Sequence, residues 1–142
     1  MLSFAAPSTV TDQIGPYRIV QRLGAGGMGE VFLAEDVRLG RKVALKSLSP
    51  TGAHPAETRR KLLREARATA RLNHPNIAAV YDVVESGEHA HIVMEYVPGQ
   101  DLEQYIQTEG ALNPSKACDL MHQIASALAD AHQRNLVHRD IK

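Results

Sequence analysis

The stretch LGAGGMGEV, residues 23–31, decides how this chain is read. Gly24, Gly26 and Gly29 follow the pattern G-x-G-x-x-G-x-V. Glycine lets a backbone approach a phosphate closely, and successive N–H groups can then face an anion. Two architectures use such a loop. In a dinucleotide fold the glycines open a helix whose N-terminus holds the pyrophosphate. Here they run into EVFLAED (30–36), a β-rich segment. The glycines therefore sit at the tip of a hairpin, and the dinucleotide fold is set aside. A glycine hairpin with no ligand is the competing reading, and the loop alone does not separate the two.

Working outward, YRIVQRL (17–23) precedes the loop as a strand, and RKVALKSL (41–48) follows as a third. The tight connections predict an antiparallel meander. A helix is expected over about 55–72, with Leu62, Leu63, Ala66, Ala70 and Leu72 on its apolar stripe and Arg59, Arg60, Lys61, Arg64 and Arg67 opposite. His74-Pro75 stops it, because the residue before proline is pushed out of the α region. Strands at 77–86 and 89–97 bring the count to five. Pro98-Gly99-Gln100 reads as a hinge. Asp101 can cap a short helix, and Asn113-Pro114 a longer one carrying Ala117, Leu120, Met121, Ile124, Leu128 and His132 at helical spacing. Asn135 closes it, and LVHRDIK follows as an extended run. The fold class is α+β: a loose tail (1–14), a β-rich half with one main helix (15–97) and a helical half (98–142).

Composition narrows the function. Sixteen basic residues balance sixteen acidic ones across 142 residues, so bulk charge does not point to nucleic acid or a membrane surface. No apolar run reaches the roughly 18 residues needed to span a bilayer. The single cysteine, Cys118, excludes an internal disulfide and suits a reducing cytoplasm. Its helical setting predicts a small buried hydrophobe. His89 and His91 share a strand face, but no third metal ligand is near, and a solvated hairpin is expected.

Lys46 ends the apolar strand VALK (43–46) and shares a face with Ala44, two positions earlier. A flat base could cover the small Ala44, and the lysine would then reach toward phosphates. A buried ammonium needs a carboxylate. Glu57 and Glu65 are the candidates on the following helix, and Glu65, beside Ala66, is preferred.

Side by side, these pieces resemble the protein kinase family: G-x-G-x-x-G-x-V at 24–31, VALK at 43–46, REA…NHPNI at 64–77, VMEYVPGQDL at 93–102 and HRDIK at 138–142. LGAGGMGEVFLAED and LNHPNI are most similar to the bacterial eukaryotic-type serine/threonine kinases. The resemblance implies a kinase fold whose five-stranded first lobe binds ATP, with the opening helices of the second lobe. It implies that the loop from Gly24 to Gly29, with Ala25, Gly26, Gly27 and Met28, covers the ATP phosphates. Lys46, held by Glu65, would contact the α and β phosphates. Leu23, Val31 and Ala44 would line the adenine roof and Met94 the back of that pocket. The backbone of Glu95 and Val97 would meet the adenine edge, and Asp101 a ribose or substrate group. Asp140 would orient the substrate hydroxyl and accept its proton, and Lys142 would face the γ-phosphate, which favours serine or threonine substrates. His138 would be a support, and Arg139 would pair with a phosphorylated activation loop.

The family pattern continues past Lys142 with the Mg²⁺-binding asparagine and an Asp-Phe-Gly segment. No metal ligand is therefore assigned within these residues, although ATP and Mg²⁺ are the implied cofactors. The expectation is the N-terminal part of a serine/threonine kinase that does not transfer phosphate by itself. The apolar stripe of the long helix would then be bare and open to self-association. The alternative is a non-catalytic nucleotide- or partner-binding module. A membrane anchor elsewhere in a parent protein stays open.

Overall fold

The computed structural model describes residues 13–26, 29–48, 55–86 and 89–137, the side chains of Leu48, Pro55, Thr58, Lys61, Leu62 and Glu65 excepted. Six strands form one antiparallel sheet in the order β1-β2-β3-β4-β6-β5. They are β1 (Gln13–Ile14), β2 (Tyr17–Gly26), β3 (Gly29–Asp36), β4 (Arg41–Leu48), β5 (Val80–Ser86) and β6 (His89–Glu95). Among the described residues three helices accompany them: α1 (Pro55–Thr69), α2 (Leu102–Glu109) and α3 (Pro114–Gln133).

The five expected strands are present, with corrections at their ends. Gln13 and Ile14, expected within the tail, instead pair with Arg18 and Tyr17, and Ile14 packs on the core, while residues 1–12 lie outside the described residues. Strand β5 begins at Val80 rather than at 77, β6 ends at Glu95 rather than at 97, and α1 ends at Thr69 rather than near 72. Glu95 causes the first change. Its N–H donates to the Ala79 carbonyl and its carboxylate accepts the Ala79 N–H, so a local clasp stands where ladder pairing was expected.

Register sorts the side chains onto two faces, since directly paired residues share a face and neighbours alternate. Tyr17, Ala34, Val43, Leu45 and Val93 form the dry core, with Ile14, Ile19, Phe32 and Val84 against it. The opposite face carries Val31, Leu33, Ala44, Lys46, Ile92 and Met94 in register. Helix α1 lies against β5 and β6. Arg59 of α1 is ion-paired with Glu85, which alternation places on the Lys46 face. The helix thus covers part of that face, burying Ala66.

At the far end of the core a polar cluster joins three segments. Tyr17 Oη donates to Asp82 Oδ2 at 3.0 Å and accepts from Arg38 Nη2 at 3.3 Å. Arg38 also donates its backbone N–H to Asp36 Oδ1 at 3.0 Å. Burial alone would raise the Asp36 carboxyl, but the Arg38 hydrogen bonds outweigh it and hold the group below its ordinary value. Burial, then the bond to Asp82, pushes the Tyr17 phenol up.

Both helix caps are as expected. Asp101 accepts from Gln104 N–H at 2.7 Å, and Asn113 from Lys116 N–H at 2.8 Å, ahead of Pro114. Asn135 takes a left-handed φ of 59° just past α3. The burial of α3 differs from its expected stripe. Ala127 and Ala131 are buried, while Met121 stays 60% exposed. Cys118 is exposed rather than buried, because it lies off the Ala127–Ala131 side.

Candidate functional site

The glycine loop is a hairpin tip, as the strand after it requires. Gly24 pairs with Val31, Ala25 with Glu30 and Gly26 with Gly29. The loop apex, Gly27 and Met28, lies outside the described residues. A register shift between Arg22 and Gly24 leaves Leu23 as the extra residue, 43% exposed. Gly29 has φ 121°, a conformation open to glycine. At Gly24 a side chain would meet no atom within 4 Å, so the protein leaves open space beside that backbone.

Pairing carries the hairpin's inner strand to the lysine. Val31 is opposite Lys46, which is opposite Ile92, and Leu33 is opposite Ala44, which is opposite Met94. Ala44 is 8% exposed, and Val31, Lys46, Ile92 and Met94 are half-buried. The result is an apolar floor with one cation at its edge, next to the glycine strand. Lys46 makes no ion pair or hydrogen bond among the described residues. A half-buried lysine with no partner among the described residues, on an apolar face, is a place where an anion gains. These features fit a nucleotide, with a flat base on the floor and phosphates at the lysine and the glycine backbone.

The helix that should supply the lysine's carboxylate lies over the correct face. The Glu65 side chain lies outside the described residues, while Glu57 is exposed at the start of α1. At the hinge, the Glu95 N–H is already committed to Ala79, so of its two backbone groups only the carbonyl is left to a ligand. Val97 is 65% exposed, outside the sheet. One oxygen of Asp101 serves as the α2 cap. Asp140 and Lys142, with His138 and Arg139, lie outside the described residues.

Ile92 and Leu33 belong to the same face and were passed over in the sequence. Alternation outward from Val31 would have found Leu33, and alternation back from Met94 would have found Ile92. The histidine pair is also not as expected. The rings of His89 and His91 lie 6.4 Å apart, but His91 is 5% exposed and its Nδ1 is buried without a partner. Burial, then the nearby His89, holds the His91 pKa below its ordinary value. Among the described residues no group of three or more metal-ligating side chains occurs.

The protein kinase domain family matches residues 17–142. The chain is 48% identical over 128 residues to serine/threonine-protein kinase PrkC of Bacillus subtilis, covering 90% of this chain and 20% of that protein. It is 40% identical over 141 residues to serine/threonine-protein kinase PknD of Mycobacterium tuberculosis, covering 99% of this chain and 21% of that protein. The crystal structure of the M. tuberculosis PknI kinase domain superposes with a TM-score of 0.82 at 36% identity, over 93% of this chain and 53% of that one. The chain thus spans about a fifth of these relatives and about half of that solved domain. With the family matched over residues 17–142, nearly the whole chain, the chain belongs to the protein kinase domain family.

Proposed function

We propose that this chain is the ATP-binding part of a serine/threonine protein kinase that transfers the γ-phosphoryl group of ATP to a protein hydroxyl. One observation carries the reading: Lys46, half-buried and unpartnered among the described residues, shares an apolar face with Ala44, Val31 and Met94 beside the glycine hairpin. Adenine lies against that face, with Leu23, Val31 and Ala44 as its roof and Met94 at its back. The backbone from Gly24 to Gly29 and the Lys46 ammonium hold the phosphates, with Glu65 orienting Lys46. Asp140 positions the hydroxyl, and Lys142 faces the γ-phosphate. Mg²⁺ supplies charge compensation when bound, through ligands outside these residues. The proposed reaction draws on ATP, and on that ground we place this part of the protein in the cytoplasm; separately, no helix among the described residues is long and apolar enough to cross a membrane.

The test is an acyl-phosphate derivative of ATP, which acylates a lysine held at the phosphates, followed by peptide mass spectrometry. Lys46 should be modified ahead of the exposed Lys42 and Lys116, and free ATP should suppress that modification. Equal modification of all lysines, unaffected by ATP, would overturn the reading.

A further inference from the structure

Two strands that are not neighbours meet at one corner of the sheet. In the order β1-β2-β3-β4-β6-β5, four strand spacings separate β2 from β5, about 19 Å if the sheet were flat. Yet Tyr17, the first residue of β2, donates its Oη–H to Asp82 Oδ2 of β5 at 3.0 Å. A Cβ at Gly15 would stand 3.4 Å from Val84 Cγ1, so the β1–β2 turn also lies against β5. The sheet therefore curls until its two sides close over the core, with Ile14, Tyr17 and Val84 inside the curl.

A one-residue irregularity makes the closure possible. Val80 is opposite Met94 and Asp82 is opposite Val93, so Tyr81 is the extra residue of a bulge. The bulge turns Asp82 from the face of Val80 to the core face. Asp82 Oδ1 accepts the Val83 N–H at 2.8 Å, which leaves Oδ2 to Tyr17. The β3–β4 turn is tied to the same corner: Arg38 Nη2 donates to Tyr17 Oη at 3.3 Å, and the Val37 N–H donates to the Pro16 carbonyl at 3.0 Å.

Stability alone does not call for these groups. Asp36, which holds Arg38, is 0% exposed, and its Oδ2 is buried without a partner among the described residues. An apolar corner would close the sheet without that cost. What a polar network adds is direction, since its bonds fix one arrangement where apolar contacts tolerate several.

Both strands that meet here lead into the nucleotide face. Strand β2 runs from Tyr17 to Gly24 and Gly26 of the glycine hairpin. Strand β5 begins at Val80, opposite Met94 and next to the Ala79–Glu95 clasp. We propose that Tyr17 is a positioning residue for the nucleotide. Its bond to Asp82 fixes the tilt of β2 against β5 and so holds the glycine hairpin at its distance from Lys46 and Met94. Tyr17 touches no nucleotide itself, because it packs in the core on the other face. This role rests on the nucleotide reading of the Lys46 face.

The test measures, in the 142-residue chain, the ATP concentration that halves acylation of Lys46, beside deuterium exchange of the hairpin amides without ATP. Tyr17→Phe removes one oxygen and keeps the ring in the core. It should raise the ATP concentration about two- to thirtyfold and speed exchange in the hairpin. Asp82→Ala should do the same, and the double variant should be no worse than either single one, since both act through one bond. Asp82→Asn keeps an acceptor and should stay near the parent chain. Leu45→Ala is the control: it should lose stability and leave the ATP concentration unchanged, with every variant compared at a temperature where circular dichroism shows it folded. Tyr17→Phe that matches the parent chain in ATP suppression overturns the proposal. So does Leu45→Ala that shifts ATP suppression as far as Tyr17→Phe. A parent chain whose Lys46 acylation ATP does not suppress sinks the nucleotide reading instead, and unchanged hairpin exchange in Tyr17→Phe sinks the positioning role by itself.

Discussion

Gly24→Ala separates a phosphate-binding hairpin from an ordinary one. In the protein alone, the new methyl at Gly24 meets nothing within 4 Å, and φ there lies outside the glycine-favouring range. The fold should therefore accept it. Loss of glycine's freedom in the unfolded chain should raise stability by about 0.4–1 kcal/mol. That corresponds to roughly 1–4 °C in a thermal melt. If the backbone at Gly24 lies against a phosphate, the same methyl occupies the ligand's space. Losing one charge-assisted hydrogen bond, worth about 1.5–3 kcal/mol, weakens nucleotide binding by about ten- to a hundredfold. The assay is ATP suppression of Lys46 acylation, run beside circular dichroism melts. Unchanged stability or a small gain, with ATP needed at much higher concentration, supports the cradle. Unchanged ATP suppression refutes it and leaves a hairpin without a ligand. A drop in melting temperature refutes the reasoning from open space. Gly29→Ala is the contrast, since φ 121° should cost about 1–3 kcal/mol in the fold itself.

Other expectations rest on the core and its edges. His91 is buried with its pKa held down, so the unfolded chain binds the proton more readily. Its contribution should be complete above the unfolded value near 6.5 and decline as pH falls through and below it; melts between about pH 8 and pH 5 should show this, and His91→Leu should flatten the dependence. Leu45→Ala removes a side chain that is 0% exposed at the centre of the sheet. It should cost about 2–5 kcal/mol by urea denaturation, with nucleotide contacts on the other face intact. Met121 and Ile124 are 60% and 36% exposed on α3, and Met121→Lys/Ile124→Lys should abolish any concentration-dependent association seen by sedimentation.

The sequence made the alternation from Ala44 to Lys46 legible because a strand has a fixed period of two. The same period, carried across the ladder, decides which face is core and which receives a ligand. Val43, Leu45 and Val93 fill one side so completely that they are 0% exposed. Val31, Ile92 and Met94, equally apolar, remain half-buried on the other. Composition cannot tell these sets apart, since both read as strand hydrophobes. The difference lies in pairing partners far apart in the chain. The same cause explains His91. Its alternation with His89 suggested two solvated rings, but pairing sets it opposite Val84, a residue packed on the core. Local signals, by contrast, carried through: Asp101, Asn113-Pro114 and Asn135 act within four residues of themselves, so their roles needed no tertiary context. The Glu95–Ala79 clasp is the opposite case. It ends β6 at the hinge by joining residues on two segments, and it takes from Glu95 the N–H that a ligand would otherwise share. Any base seated there must therefore draw on the Glu95 carbonyl and on Val97, which stands outside the sheet.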